Sequence, residues 1–187
     1  MKRALFIDRD GVLDHLVHYP SSDEWESPRT VADLKLVEGV TDALEQIAAA
    51  GWLLVIITNQ PSHAKGKVSR ESLLEVHEAL VASLPVTIHA SYVCFHHPEG
   101  VVPELSIRCD CRKPGTRFLR EAALEFDIDL AASWMVGDQD SDLLCGRAAG
   151  CRVALIPHPG SEHKRGEVEP DVRCRDLNEL AAILMES

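Results

Sequence analysis

The stretch Ala4-Leu5-Phe6-Ile7-Asp8-Arg9-Asp10-Gly11-Val12 decides how the chain is read. Its first four residues are all apolar, without the alternation of a strand that has one wet face, so they suit a strand buried on both sides. The run then stops at two aspartates flanking an arginine, with a glycine behind them.

Working outward, the same pattern recurs. Leu53-Leu54-Val55-Ile56-Ile57 runs into Thr58-Asn59-Gln60, and Trp134-Met135-Val136 runs into Gly137-Asp138-Gln139-Asp140, with Asp142 beyond; Val153-Ala154-Leu155-Ile156 is a fourth run. Between them, Val40, Ala43, Leu44, Ile47 and Ala48 keep the spacing of one helical face, and Gly51 stands where a helix end favours positive φ. Helices are also predicted over 73–84, 118–126, 143–149 and 177–185. Strands alternating with helices predict a doubly wound α/β fold with a parallel sheet, whose ligands gather beyond the carboxyl ends of the strands. Residues 14–36 and 95–108 break the alternation and read as loops, the first long enough to cover a site. No repeat or linker divides residues 1–187, so one domain is expected.

If the strands are parallel neighbours, Asp8, Asp10, Asp138 and Asp142 converge at one end of the sheet. Carboxylates so crowded repel one another unless a hard cation sits among them, and oxygen ligands suit Mg²⁺. Helix capping explains any one of these turns. It explains poorly three of them in strand order, together with Lys113.

These residues resemble the four motifs of the haloacid dehalogenase superfamily: Asp8-x-Asp10-Gly11-Val12, Thr58, Lys113-Pro114 and Gly137-Asp138-x-x-x-Asp142. The resemblance implies a phosphatase with Asp8 as nucleophile, already charged at neutral pH, and Asp10 as general acid and then base. It implies Mg²⁺ on the Asp8 carboxylate, the Asp10 carbonyl and Asp138, supported by Asp142 from behind. Thr58 and nearby N–H groups would hold phosphoryl oxygens, and Lys113 would neutralise charge developing in the transition state.

Cys94-Phe95-His96 and Cys109-Asp110-Cys111 are separated by twelve residues. Three thiols and an imidazole form a closed set of the kind that holds structural Zn²⁺, with His97 a rival to His96 and plain burial of the cysteines the alternative. Cys145, Cys151 and Cys174 read as packing residues. Such a cysteine loop resembles that of a subgroup without a large cap domain, which includes heptose bisphosphate and histidinol-phosphate phosphatases. The heptose type is favoured, implying substrate contacts from Arg112 and Asn59. Two features depart from it: Gln139, where a basic residue is common, and Pro61-Ser62-His63-Ala64-Lys65-Gly66 in place of a Gly-rich turn. Lys65 is either a replacement cation or a solvated loop lysine. The loop from His15 to Thr30, with Trp25 and Arg29, is longer than the family's.

Composition sets the outer limits. At 187 residues, 45% hydrophobic and 26% charged, the chain suits one folded domain. A net charge of −11 without a lysine or arginine run argues against nucleic acid and anionic membranes. With no signal-like or membrane-spanning apolar stretch, a cytoplasmic monomer acting on a small sugar phosphate is expected. A protein or nucleic-acid phosphatase and a non-catalytic scaffold are the competing readings. Beyond about residue 157 only the closing helix is legible.

Overall fold

Side-chain alternation along the central strands divides the core in two. In the computed structural model, which describes residues 1–186, β1 (Ala4–Ile7) is wholly buried. It is followed by a hairpin, β2 (Val17–Tyr19) and β3 (Glu24–Glu26), then α1 (Val40–Ala49), β4 (Leu53–Asn59) and α2 (Arg70–Ser83). Next come β5 (Ala90–Cys94), α3 (Arg117–Phe126), β6 (Trp134–Gly137), α4 (Asp140–Ala149), β7 (Arg152–Leu155), β8 (Val172–Arg173) and α5 (Leu177–Met185).

The main sheet runs β5-β4-β1-β6-β7-β8, and every pairing in it is parallel. Leu5, Ile7, Leu54, Ile56 and Val136 face one way, onto Leu44 and Ile47 of α1 and Leu180 and Leu184 of α5. Phe6, Val55, Ile57 and Met135 face the other, onto Leu119 of α3 and Leu143 of α4. A strand apolar at every position is thus what a sheet covered on both faces requires. Helices therefore lie on both faces, as expected.

The structure amends the sequence reading in three places. Residues 14–36 are not irregular throughout: they form the β2–β3 hairpin and a short 3₁₀ turn at Val31–Asp33. Tyr19 anchors the hairpin, its ring under the Arg29 guanidinium at 4.0 Å and its hydroxyl donating to Asp33 Oδ2 at 3.2 Å. β5, unpredicted, is an edge strand with polar Ser91 and half-buried Tyr92. Residues beyond 157 form a 3₁₀ segment, Pro159–Lys164, then β8 before α5. Among the described residues the hairpin takes the place of any large cap, and no helix is long and apolar enough to cross a membrane.

Because Leu180 is fully buried between α5 and the sheet, Leu180→Ala should destabilise the fold by about 2–5 kcal/mol in urea denaturation.

Candidate active site

β1 is flanked by β4 and β6, so the chain leaves three adjacent parallel strands at one edge. Asp8 and Asp10 follow β1, Asp138 follows β6, and Asp142 lies in the first turn of α4. Asp8, Asp138 and Asp142 offer oxygens that all lie within 4.8 Å of one another. Two glycines make that approach possible. A Cβ on Gly11, at φ +88°, would stand 2.5 Å from Asp138 Oδ2, and one on Gly137 would stand 2.2 Å from Asp142 Cγ.

Lys113 enters this cluster from the cysteine loop, almost fully buried. Its Nζ lies 2.6 Å from Asp8 Oδ1 and 2.6 Å from Asp142 Oδ1, and donates to the Ile57 carbonyl at 2.9 Å. Burial alone would lower the lysine pKa, but the charges of Asp142 and Asp8 outweigh it and raise the value. Asn59 fixes the lysine backbone: its Oδ1 accepts from Lys113 N at 3.1 Å and its Nδ2 donates to Lys113 O at 3.2 Å. The Asn59 amide expected to meet substrate is therefore engaged with the main chain.

Asp10 turns into a separate network. Its Oδ1 accepts from Arg9 Nη2 at 2.8 Å, and its Oδ2 from Gln60 Nε2 at 2.5 Å and Thr58 Oγ1 at 3.4 Å. Gln60 also donates to Thr58 Oγ1 at 2.9 Å. Arg9, fully buried, further faces Asp14 at 3.7 Å. The sequence alone assigns Arg9 and Gln60 no role. Nothing in their spacing marks them, since each sits inside a motif whose chemistry belongs to its neighbours.

Five buried carboxylates, Asp8, Asp10, Asp14, Asp138 and Asp142, thus share the buried cations Arg9 and Lys113. Both carboxylate oxygens of Asp138 are buried without a hydrogen-bond partner among the described residues. Burial first, then the Asp142 charge, raises the Asp8 pKa to about 7, and burial with the Asp8 charge does the same to Asp138. Orphaned carboxylate oxygens beside a second carboxylate fit a divalent cation with oxygen ligands.

Cys94, His96, Cys109 and Cys111 converge as their spacing predicts. Sγ of Cys111 lies 3.3 Å from that of Cys94, 3.2 Å from that of Cys109 and 3.5 Å from His96 Nδ1. Ligands about 2.3 Å from a tetrahedral Zn²⁺ would be about 3.8 Å apart, so the set fits with small adjustment. All six cysteines are free thiols. His97 is not part of the group, its Nδ1 accepting instead from Glu99 N at 3.1 Å.

A cavity of about 540 Å³ opens over Asp8, Asp10 and Lys113. Asn59, Lys65, Arg112 and Gln139 line its walls, and the hairpin supplies Glu24 and Trp25. Lys67 ties the hairpin down through Glu24 and Glu26. Trp25 packs over Gly160, where a Cβ would meet the indole at 2.8 Å. His163 and Lys164 complete the wall, from a region the sequence left unread.

Asp8 and Asp138 hold protons more tightly folded than unfolded. Their cost to stability is therefore absent below the unfolded pKa, grows from about pH 4 to 7, and is complete above that. In magnesium-free buffer, Asp138→Asn should melt above wild type at about pH 8, with the advantage shrinking toward about pH 5. A melting difference independent of pH would contradict this account.

A family model described as HAD-hydrolase-like matches residues 110–180. The D-glycero-β-D-manno-heptose-1,7-bisphosphate 7-phosphatase of Haemophilus ducreyi is 35% identical over 187 residues, covering 96% of each chain. Its counterpart from Yersinia pestis is 36% identical over 184 residues, covering 95% of this chain and 92% of that one. Among solved structures, the D,D-heptose 1,7-bisphosphate phosphatase of B. bronchiseptica, complexed with magnesium and phosphate, is 27% identical. It superposes with a TM-score of 0.78, covering 100% of this chain and 99% of that one. Likeness at that level, over nearly the whole length, shows that the chain belongs to the haloacid dehalogenase-like hydrolases and is a phosphatase among them.

Proposed function

We propose that the chain removes the 7-phosphate of D-glycero-β-D-manno-heptose 1,7-bisphosphate through an aspartyl-phosphate on Asp8. The observation that carries this reading is the setting of Asp8 itself. Arg9 N and Lys113 Nζ hold its Oδ1 at 2.7 and 2.6 Å, while Oδ2 accepts no hydrogen bond among the described residues and the residue lines the cavity. The substrate is taken from the relatives, which bear that name at 35–36% identity.

Oδ2 of Asp8 attacks phosphorus, and the bond from phosphorus to the sugar oxygen breaks. Asp10, poised beside it by Arg9 and Gln60, delivers a proton to that oxygen. In the second half, the Asp10 carboxylate takes a proton from water, whose oxygen displaces Asp8 from phosphorus and releases phosphate. Lys113 balances the charge on Asp8 and on the phosphoryl oxygens, which nearby N–H groups receive together with Thr58, whose hydroxyl turns to them from Asp10. Mg²⁺, held by the Asp8 and Asp138 carboxylates and the Asp10 carbonyl with Asp142 behind them, would supply electrostatic stabilisation of the phosphoryl group.

Zn²⁺ on Cys94, His96, Cys109 and Cys111 is the second metal in this reading. The set is closed, with no place for a reacting water, so its role is to brace the loop that delivers Arg112 and Lys113. We place the activity in the cytoplasm, on a soluble metabolite and by a monomer. The free thiols and the acidic balance without a basic run favour that setting over a nucleic-acid or membrane partner.

Phosphate release from a panel of sugar phosphates and histidinol phosphate should require Mg²⁺ and be greatest for the heptose bisphosphate. Asp8→Asn should lower kcat by at least about a thousandfold; comparable turnover in the variant would exclude Asp8 as nucleophile. Elemental analysis of protein prepared without chelator should give about one Zn per chain. Cys109→Ser should lower the melting temperature first and activity as a consequence.

A further inference from the structure

Asp14 is a fully buried carboxylate that does not line the catalytic cavity and stands outside the group of Asp8, Asp138 and Asp142 that would hold Mg²⁺. Neither of its oxygens accepts a hydrogen bond among the described residues. Burying a charge this way costs stability, and an asparagine of the same shape would avoid most of that cost. What Asp14 does meet is the Arg9 guanidinium, with Oδ2 3.7 Å from Nε. The same Nε donates to Asp10 Oδ1 at 3.3 Å, and Nη2 donates to it at 2.8 Å. Arg9 is therefore held between two carboxylates, one of which is the proposed acid and base.

The backbone fixes Asp14 at the root of the hairpin. The Arg9 carbonyl accepts from Leu13 N at 2.8 Å and Asp14 N at 3.2 Å, and Gly11 N donates to the Asp14 carbonyl at 2.7 Å. On its other side Asp14 pairs with Leu36 in an antiparallel bridge. Val37 N donates to the Leu13 carbonyl and His15 N to the Lys35 carbonyl, both at 2.9 Å. Residues 13–15 and 35–37 are thus the two ends of the segment that carries β2 and β3 over the cavity. A guanidinium gripped from one side alone can pivot on its long side chain, and a second carboxylate opposite the first removes that freedom.

We propose that Asp14 is a positioning residue for the acid–base steps: it holds Arg9 so that Arg9 holds Asp10 toward the leaving oxygen and the attacking water. The proposal rests on the role given to Asp10 above, and adds a residue from the hairpin stem that touches neither substrate nor metal. Asp14→Asn keeps the shape and removes the charge that steadies the guanidinium. It also removes one of five crowded carboxylates, so stability and activity should part company.

The test sets the best sugar phosphate against p-nitrophenyl phosphate, in wild type and Asp14→Asn with Mg²⁺. A sugar oxygen needs a proton to leave, whereas p-nitrophenolate leaves without one. In rapid mixing, the variant should slow the first turnover of the sugar phosphate about tenfold, with KM little changed, and the first release of p-nitrophenolate by less than about twofold. Steady-state release from both should fall about tenfold, because the second half needs Asp10 as base whatever has left. In magnesium-free buffer the variant should melt at or above wild type. Equal slowing of both first turnovers in a folded variant, or slowing of neither, would overturn the proposal. Asp14→Ser stands in if the asparagine variant does not fold. If wild type accepted no sugar phosphate, the substrate assignment would fall and p-nitrophenyl phosphate would judge Asp14 alone. The variant must then give a burst of p-nitrophenolate followed by release about tenfold slower than wild type; equal slowing of burst and steady state, or none, would refute the role.

Discussion

Mutual repulsion among buried carboxylates is the constraint on which the rest of this structure depends. Three adjacent parallel strands bring Asp8, Asp138 and Asp142 within 4.8 Å of one another, in a place where water cannot screen them. Lys113 between Asp8 and Asp142 relieves part of that repulsion, and the bare Asp138 carboxylate shows how much is left. A site of this kind costs stability when empty and gains it when a divalent cation and a phosphoryl group complete the charge balance. In the proposed mechanism, binding and catalysis therefore draw on the same electrostatic imbalance.

That imbalance explains the surrounding architecture. The strands must be apolar at every position because helices cover both faces, which keeps the carboxylates at the strand ends rigid. Gly11 and Gly137 lack a Cβ because Asp138 and Asp142 occupy that space. Lys113 comes from a segment with little core of its own, yet an ammonium misplaced by an ångström would lose its bridge. The Asn59 clamp on its backbone supplies rigidity that packing does not, and the four Cys and His side chains gathered just ahead of it would add to it on holding a metal ion.

Much of this was legible in the sequence, for identifiable reasons. The runs at Ala4, Leu53, Trp134 and Val153 and the amphipathic helices are strong local signals, and motif residues at strand ends inherit their position from the strands. The cysteine pairs were legible because thiol and imidazole spacing is itself the signal. What escaped was tertiary. The hairpin strands are three residues each, mix His18, Glu24 and Trp25, and hold through Lys67, over forty residues away. Residues His163 and Lys164 reach the cavity only because a 3₁₀ segment folds back under Trp25. Arg9 lies between two aspartates that draw attention from it, although its burial and its bonds to Asp10 make it part of the site.

The central claim is that phosphate passes through Asp8. Acid quench of wild type and Asp10→Asn during turnover of the bisphosphate, followed by peptide mass spectrometry, tests it most directly. The account predicts a hydroxylamine-labile phosphoryl adduct on Asp8, more abundant in Asp10→Asn because the second step has lost its base. Sustained phosphate release by wild type with no adduct on Asp8 in either protein would contradict it.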